Sequence, residues 1–282
     1  MDWVTVPIRK QEIEHLSADI RRMIDGQDID LRHNQEGVLN ILRNDIHTLA
    51  ALKDEQLSVL QHDRELLKTN LADISHQLKT PLTSMMIMAD LLESSPAHKQ
   101  QEFIANIRSS LARMDWLVGA LLKMAKLDAG TIEFRYDTVR SAELITSALE
   151  PLAILLELKN QTVEQTGAAE LICDRRWLTE ALTNIIKNAS EHSPDNSVIK
   201  IAAGSDPLCT WIGITDSGVG ISKADIAKLY RRFEGSTHDT GYGIGLPLAL
   251  AIVRGQNGDI EVQAGGHGQG ACFTIKLYKQ QL

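Results

Sequence analysis

The chain has 282 residues, of which 29 are basic and 37 acidic, so its net charge is −8. Apolar residues make up 43% and charged residues 23%, which excludes a wholly disordered or collagen-like chain. The excess of acidic residues argues against general electrostatic binding of nucleic acid, so no nucleic-acid partner is expected. The longest runs without a charged side chain, of which Thr240–Val253 is one, are too short for a membrane helix, which needs roughly 18 residues.

Two features bear on the compartment in which the chain works. The start of the chain, Met1–Val4, lacks the basic region and the long apolar region of a signal peptide, so no signal peptide is expected. The cysteines Cys173, Cys209 and Cys272 are widely spaced and match no metal-binding motif. We interpret them as small buried residues of a protein in a reducing compartment.

The first part of the chain is predicted to be helical, with a narrow apolar seam of heptad spacing. The seam is formed by Leu39, Leu42, Ile46, Leu49, Leu67, Leu71, Ile74, Leu78, Ile104, Ile107, Leu111, Met114, Val118 and Leu121. Such a seam is typical of helices that pack side by side. Ser94-Ser95-Pro96 interrupts it, which predicts a helical hairpin over 64–94 and 97–128. Because one hairpin has a thin core, two copies are expected to form a four-helix bundle as a homodimer. The alternative is a monomeric hairpin that packs on the second half of the chain.

The segment before the hairpin has its own pattern. Residues 11–24 are predicted to form an amphipathic helix, residues 26–31 an extended connector, and Glu36-Gly37 precedes the next helix. This order resembles a HAMP signalling module. Residues 1–63 are therefore expected to be a HAMP-like or coiled-coil signalling segment that passes helix rotation or tilt to the hairpin.

The second half alternates between strand-like and helical segments around glycine-rich loops. Strands are predicted at 131–136, 161–164, 170–173, 197–203, 208–215, 258–263 and 271–278, and helices at 141–158, 175–191, 222–230 and 245–255. This mixture indicates an α/β sandwich with a sheet covered on one face. The chain is thus expected to be an α+β protein, with a hairpin domain at 64–130 and an α/β sandwich domain at 131–282.

Two polar motifs in the sandwich domain could hold a nucleotide. Asn184 and Asn188 lie four residues apart and share one face of a predicted helix, and their amide oxygens suit Mg²⁺. Asp216 follows a predicted strand, and its carboxylate could accept the amino protons of adenine. Gly218 and Gly220 come next and would let the backbone turn sharply and approach a flat ligand closely.

A third motif, Gly241, Gly243 and Gly245, precedes an apolar helix, and glycines at a helix N-terminus can cradle phosphate. Its spacing is neither that of a dinucleotide-binding loop nor that of a P-loop. In chain order, Asn-x₃-Asn, Asp-x-Gly-x-Gly and Gly-x-Gly-x-Gly resemble the N, G1 and G2 boxes of the GHKL ATP-binding fold. Arg232-Phe233 resembles the F box of histidine kinases.

The predicted hairpin carries a further motif. Residues 73–82, Asp-Ile-Ser-His-Gln-Leu-Lys-Thr-Pro-Leu, resemble the H box of two-component sensor histidine kinases. His76 lies off the apolar seam, so its imidazole is expected to face solvent and to be available as a nucleophile at neutral pH. Thr80 lies one turn later on the same face, and Pro81 is expected to bend the helix. The resemblance covers residues 64–282, with five motifs in the family's order.

This resemblance implies an ATP-dependent protein-histidine kinase. His76 would accept the γ-phosphoryl group of ATP and pass it to an aspartate in the receiver domain of a cognate response regulator. Thr80 would position the water that dephosphorylates the regulator. Gln77 stands where the family usually has Glu or Asp, so the group that takes the proton from His76 is left open, with Asp73 as a nearby negative charge.

The resemblance also assigns the cofactor site. Asn188 would bind Mg²⁺ with help from Asn184, and Asp216 would read adenine. The nucleotide loops would be shaped by Phe233, Gly218, Gly220, Gly241, Gly243 and Gly245. The phosphate charge would be met by one of several candidates: Lys187, Arg231, Arg232 or His238, the last two in a lid at 232–244. A transmembrane segment absent from this chain would anchor the protein at the cytoplasmic side of the bacterial inner membrane.

Three alternatives remain open from the residues. A hydrolytic ATPase resembling DNA gyrase or the mismatch-repair ATPases usually has a glutamate four residues before the metal-binding asparagine, where Asn184 stands here. A pseudokinase scaffold would dimerise and bind a regulator without phosphotransfer, which Gln77 permits. A kinase whose phosphatase activity dominates would use the same residues in the opposite direction.

Overall fold

The computed structural model describes residues 13–14, 17–18, 20–21, 38–94, 96–230, 232, 243–264 and 270–279. The chain divides into two units, residues 1–72 and 73–282. The HAMP-like connector predicted at 26–37 and most of the predicted helix at 11–24 lie outside the described residues.

Two long helices precede the sandwich domain. Helix α1 spans Val38–Ser94 and helix α2 spans Ala97–Asp128. The two predicted helices of the hairpin are therefore confirmed. The first helix begins at Val38, upstream of residue 64, where the hairpin was predicted to begin. Pro96 lies directly before α2, where its fixed φ and missing N–H do not interrupt the helix. Pro81 lies within α1, which continues through it to Ser94.

The remaining residues form two sheets. The small sheet pairs β1 (Asp137–Arg140) with β3 (Glu170–Cys173) in antiparallel fashion. The large sheet has the order β2 (Thr162–Gly167), β4 (Val198–Ser205), β5 (Cys209–Thr215), β7 (Cys272–Tyr278) and β6 (Gly258–Gln263). Strands β2 and β4 are parallel, and every other pair of neighbours in it is antiparallel.

Helices cover one face of the large sheet, as predicted for an α/β sandwich. They are α3 (Ser141–Leu149), α4 (Ala153–Leu158), α5 (Arg175–His192), α6 (Lys223–Leu229) and α7 (Gly245–Gly255). Alternate side chains of the central strands are buried in one core with α3, α5 and α7, among them Ile199, Ile201, Ile212, Ile214, Phe273 and Ile275. The other face is polar, and there Lys276 forms a 2.7 Å ion pair with Glu261.

Two sequence predictions in this region are wrong. The strand predicted at 131–136 does not form, and the nearest strand is β1. Ile132 and Phe134 are half-buried and their neighbours are exposed, a pattern that an extended segment can have without a partner strand. The N–H of Arg135 donates to the Asp174 carboxylate and not to a strand. The single helix predicted at 141–158 is broken by a 3₁₀ turn at Glu150–Leu152, because Pro151 lacks an N–H and clashes with the preceding turn.

The second hairpin helix shares the core of the sandwich domain. Leu117, Ala120 and Met124 of α2 are almost fully buried in the same cluster as the buried side chains of α5 and α7. Burial of a large apolar side chain contributes about 1.5–3 kcal/mol. The hairpin and the sandwich domain therefore form one packed unit within residues 73–282.

The three cysteines are mostly buried, as the sequence predicts. Cys173 and Cys209 are buried, Cys272 is half-buried, and all three are free thiols. Burial, together with the nearby Asp174 and Asp137 carboxylates, raises the pKa of the Cys173 thiol to about 12, which keeps the thiol protonated at neutral pH. Among the described residues, no helix has the length and apolar character that a bilayer span requires.

Candidate active site

The Asp216 carboxylate is held in a fixed orientation at the end of β5. Its Oδ1 accepts hydrogen bonds from the N–H of Gly218 at 2.8 Å and from the N–H of Ala271 at 3.0 Å. Its own N–H donates to the Ala271 carbonyl at 3.0 Å. Within the described part of the chain, no group donates to Oδ2. One oxygen is therefore used to fix the side chain, and the other can accept from a ligand.

The backbone around this carboxylate is packed too tightly for side chains. A Cβ on Gly218 would lie 2.6 Å from the His192 carbonyl oxygen at the end of α5. Gly270 has a φ of +70°, and a Cβ there would collide with the Asp216 carbonyl. Gly218 is thus required by close approach to α5, and Gly270 by both its conformation and its contact.

Several residues of this cluster were not predicted from the sequence. Ala271 and Gly270 close the back of the Asp216 site, and the Ser193 hydroxyl accepts a 3.0 Å hydrogen bond from the N–H of Ser217. A signal for the first two was available, since Gly268-Gln269-Gly270 precedes the final predicted strand. No sequence signal marks Ser193, because its role follows from the packing of α5 against the loop after β5.

Replacing Gly218 with alanine should destabilise the protein by about 1–3 kcal/mol, because the new methyl group would overlap a backbone carbonyl that cannot move freely. The matched control is Gly119→Ala in α2, where a Cβ meets nothing within 4 Å. That control should be neutral or stabilising by up to about 1 kcal/mol, since alanine favours the helix. Thermal unfolding of both variants measures the difference, and equal stability of the two would contradict the packing argument.

Asn184 and Asn188 lie on α5, which passes beside the loop that follows β5. Asn184 is buried, and its amide nitrogen donates to the Glu180 carbonyl at 2.9 Å. Its Oδ1 lies 3.2 Å from the position that a Cβ on Gly245 would take, so Asn184 packs against the start of α7. Asn188 is half-buried one turn later on the same side of the helix. The structure thus brings the N-box-like and G2-box-like motifs together.

Among the described residues, no side chain caps the N-terminus of α7. The same is true of α2, α3 and α4, whereas Asp174 caps α5 and Ser222 caps α6. Gly243 has a φ of +64° and leads the chain into Gly245, the first residue of α7. Uncapped N–H groups at a helix N-terminus attract anions. Gly220, in the loop after Asp216, also has a positive φ, of +80°. Gly241 and Phe233 lie outside the described residues.

His76 lies on α1, in the second unit of the chain, and its side chain is exposed as predicted. Gln77 is half-buried and Thr80 is exposed. The Thr80 hydroxyl donates a 3.2 Å hydrogen bond to the His76 carbonyl, one turn back along the helix. This bond brings the Thr80 side chain onto the face that carries His76, where both can be reached from solvent.

Family comparisons agree with this arrangement. The family model described as "His Kinase A (phospho-acceptor) domain" matches residues 66–130. The model described as "Histidine kinase-, DNA gyrase B-, and HSP90-like ATPase" matches residues 173–281. The chain belongs to the sensor histidine kinase family.

Curated relatives support this family assignment over most of the kinase chain. Sensor protein SphS of Synechococcus elongatus is 28% identical and covers 98% of the chain and 66% of its own length. Sensor histidine kinase WalK of Bacillus subtilis is 27% identical and covers 80% of the chain and 38% of its own length. The chain thus spans between about a third and two thirds of the length of these relatives.

Solved structures of histidine kinases share the fold. The Acinetobacter baumannii histidine kinase AdeS superposes with a TM-score of 0.63 at 21% identity, over 73% of this chain and 98% of that one. Histidine kinase ThkA, solved in complex with the response regulator protein TrrA, gives a TM-score of 0.63 at 19% identity, over 81% of this chain and 66% of that one. The likeness confirms the fold, a helical hairpin followed by an α/β sandwich domain.

Two side chains that were predicted as candidates for phosphate binding, Lys187 and Arg232, form other contacts in this chain. The Lys187 ammonium lies 5.1 Å from the centroid of the Trp116 ring and 3.7 Å from the Glu191 carboxylate. The Arg232 guanidinium forms a 2.6 Å ion pair with Asp128 at the end of α2. The other two candidates, Arg231 and His238, lie outside the described residues. A role for Arg231 or His238 in binding phosphate therefore stays a prediction.

The donor groups of the kinase fit a hard cation that arrives with the nucleotide. Within the described residues, no group of three or more His, Cys, Asp or Glu side chains could hold a metal ion. Mg²⁺ typically takes one or two protein oxygens and completes its shell with water and phosphate oxygens. The half-buried amide of Asn188 can supply one such oxygen, so the residues present fit Mg²⁺ bound together with ATP.

A separate cleft of about 580 Å³ lies beside the outer face of α7. It is lined by the connection after α2, by α7 and by Tyr230 and Arg232, and it includes none of the residues around Asp216. Phe134 packs there so closely that a Cβ on Gly255 would lie 2.9 Å from its ring. This cleft therefore belongs to the connection between the two domains and not to the nucleotide site.

Proposed function

We propose that this chain is a histidine kinase that phosphorylates its own His76 from Mg-ATP and passes the phosphoryl group to an aspartate of a response regulator. The observation that carries the proposal is the Asp216 site, in which one carboxylate oxygen is fixed by two N–H groups and the other is available. It lies in the same packed unit as the exposed imidazole of His76.

The nucleotide site would work by positioning and charge neutralisation. Asp216 Oδ2 would accept a hydrogen bond from the amino group of adenine, and the N–H groups at the start of α7 would hold phosphate oxygens. Asn188 would be a ligand of Mg²⁺, which supplies positive charge to the β- and γ-phosphates. Phosphoryl transfer requires little covalent chemistry from a protein, so these contacts account for most of what the domain must do.

In the first step, a nitrogen of His76 attacks the γ-phosphorus of ATP. A nitrogen–phosphorus bond forms, the bond from the γ-phosphorus to the bridging oxygen breaks, and ADP leaves with the bond electrons. The attacking nitrogen is the unprotonated one, so the proton on the other ring nitrogen passes to water or to a nearby base as the phosphoramidate forms. Gln77 cannot take it at neutral pH, because an amide has no basic site of the required strength. The phosphoryl group then moves from His76 to a carboxylate of the regulator's receiver domain.

The same face of α1 supports a reverse activity. Thr80 is exposed one turn from His76, and its hydroxyl can hold a water molecule near a phosphorylated aspartate of a docked regulator. We infer that the chain also dephosphorylates its regulator.

The hairpin surface supports a homodimer as the working form. Large apolar side chains remain exposed on the two helices within the second unit: Leu82, Met86, Ile87, Leu91, Ile104, Leu111, Val118 and Leu122. Pairing with a second hairpin in a four-helix bundle would remove this surface from water. We further propose that the chain works at the cytoplasmic side of the membrane, as part of a longer receptor.

The test is incubation of the chain with Mg²⁺ and γ-labelled ATP, followed by acid and alkali treatment of the labelled protein. A phosphoramidate on histidine is lost in acid and survives alkali, and this is the expected result. Nucleotide binding by a folded dimer without any label would instead favour the pseudokinase scaffold. Release of labelled phosphate without labelled protein would favour a hydrolytic ATPase.

A further inference from the structure

Two contacts tie the N-box-like helix α5 to the second hairpin helix α2. The Lys187 ammonium lies over the Trp116 ring at 5.1 Å from its centroid, within the roughly 6 Å range of a cation–π interaction. The Lys123 ammonium forms a 2.8 Å ion pair with the Glu180 carboxylate. These four side chains play no part in the nucleotide chemistry described above.

The spacing of the two contacts shows how the helices are aligned. Trp116 and Lys123 are seven residues apart on α2, and Lys187 and Glu180 are seven residues apart on α5 in the opposite order. Seven residues correspond to about 10.5 Å of helix. The two helices therefore run antiparallel, and the buried side chains of Leu117, Ala120 and Met124 lie along α2 between or beside the contacts.

The register of the hairpin then relates Trp116 to His76. Near the turn, the Gln100 side chain donates to the Leu92 carbonyl at 3.2 Å, which pairs these two positions across α1 and α2. Both helices rise about 1.5 Å per residue. Two residues that lie the same number of positions from this pair, one on each helix, are therefore at the same height along the hairpin. Seven residues on, this count pairs Met85 with Ile107, and both are at least half-buried. Sixteen residues on, the same count puts His76 level with Trp116.

These two alignments have a joint consequence. Lys187 is held at Trp116, and the next residue on α5 is Asn188, the proposed Mg²⁺ ligand. Asn188 is therefore level with His76 along the hairpin. In a dimer whose two-fold axis runs along the bundle, the partner subunit's His76 lies at the same level. The alignment consequently holds whether the phosphoryl group is transferred within a subunit or between subunits.

We propose that Trp116 and Lys187 are positioning residues for autophosphorylation, whose contact sets the height of the ATP-binding domain along the hairpin and keeps the γ-phosphate level with His76. This inference rests on the proposed function. Lys123 and Glu180 form the second point of attachment, which prevents the domain from rocking about the first. The pair of Trp116 and Lys187 acts on the rate of transfer through geometry, because it fixes α5 against α2.

The experiment compares Lys187→Met, Lys187→Arg, Trp116→Ala and Trp116→Phe in the full chain. The readouts are the single-turnover rate of label transfer to His76 at saturating ATP and the Kd of a fluorescent ATP analogue. Lys187→Met and Trp116→Ala should each lower the transfer rate about tenfold or more, because small misplacements of reacting groups cost up to about 100-fold. The Kd should stay within about twofold, since neither side chain binds nucleotide.

Rescue and coupling distinguish positioning from a loss of structure. Lys187→Arg and Trp116→Phe keep a cation and an aromatic ring, so they should retain most of the rate. The double variant Lys187→Met/Trp116→Ala should be no slower than either single variant, because both remove the same contact. The matched control is Lys126→Met, an exposed lysine on α2 near Lys123, which should leave the rate unchanged.

Four results would overturn the inference. An unchanged or faster rate in Lys187→Met would show that the contact does not position the domain. A raised Kd with an unchanged rate at saturating ATP would assign Lys187 to phosphate binding. Independent, multiplying losses in the double variant would show that Lys187 and Trp116 do not act together. An unlabelled wild type would overturn the proposed function as well, whereas a labelled wild type with insensitive variants would overturn only the positioning role.

Discussion

Replacing His76 with glutamine should reduce autophosphorylation to background, a loss of at least about 1,000-fold, because the attacking nitrogen is removed and no neighbour can replace it. Glutamine keeps a polar side chain on this exposed helix position, so α1 should remain intact. The measurement is incorporation of γ-labelled phosphate that is stable to alkali. Nucleotide affinity, measured separately, should change by less than about twofold, since His76 is not part of the Asp216 site.

The matched control for His76 is another histidine of the same helix. His62 lies on α1 fourteen residues before His76, so it repeats the heptad position without the surrounding motif. His62→Gln should label as the wild type does. Persistent acid-labile label in His76→Gln, or its loss in His62→Gln, would move the phospho-acceptor to a different histidine.

The second large effect concerns Asp216. Asp216→Asn should weaken ATP binding by about 100-fold while the fold is retained. The asparagine oxygen can still accept from the N–H groups of Gly218 and Ala271, which hold the side chain in place. The amide nitrogen then replaces the free oxygen and presents a donor to the adenine amino group, which is also a donor. Loss of a hydrogen bond to a charged acceptor costs about 1.5–3 kcal/mol, and an opposed pair of donors adds to it.

Asp216→Ala separates binding from stability. Alanine removes the acceptor for both N–H groups, and burying unsatisfied donors costs about 1–3 kcal/mol each. This variant should lose ATP binding and also unfold at a lower temperature, whereas Asp216→Asn should lose binding with little change in Tm. Isothermal titration and thermal unfolding of the pair measure the two effects. If Asp216→Asn bound ATP normally, the free oxygen would not be the adenine contact.

Most of the fold could be predicted from the sequence because its patterns are local. The heptad seam and the break at Ser94-Ser95-Pro96 predicted the hairpin, and six of the seven predicted strands correspond to observed ones. The exception, at 131–136, has alternating apolar side chains but satisfies Arg135 N–H with a side chain. Alternation reports burial of one side of an extended segment and contains no information about whether a partner strand is present.

The site residues were predicted to different extents for a related reason. His76, Asp216 and the glycines belong to short motifs whose chemistry can be inferred from neighbours in the chain. Ala271 and Ser193 contribute to the Asp216 cluster from distant positions in the chain. Gly268-Gln269-Gly270 gave a signal for the first of them, and no local pattern marks Ser193. The role assigned to each site residue stays a prediction that the variants above would test.

Lys187 is the clearest example of a side chain whose contact could not be predicted from the sequence. Its position between Asn184 and Asn188 was compatible with phosphate binding or with an outward orientation. Only the packing of α2 against α5 places its ammonium over Trp116, a residue 71 positions earlier in the chain. The sequence by itself determined the helices, most strands, the family and the motif residues, since these follow from short-range periodicity and residue chemistry. The tertiary structure decided which distant side chains meet, because those contacts depend on how separate elements pack into one core.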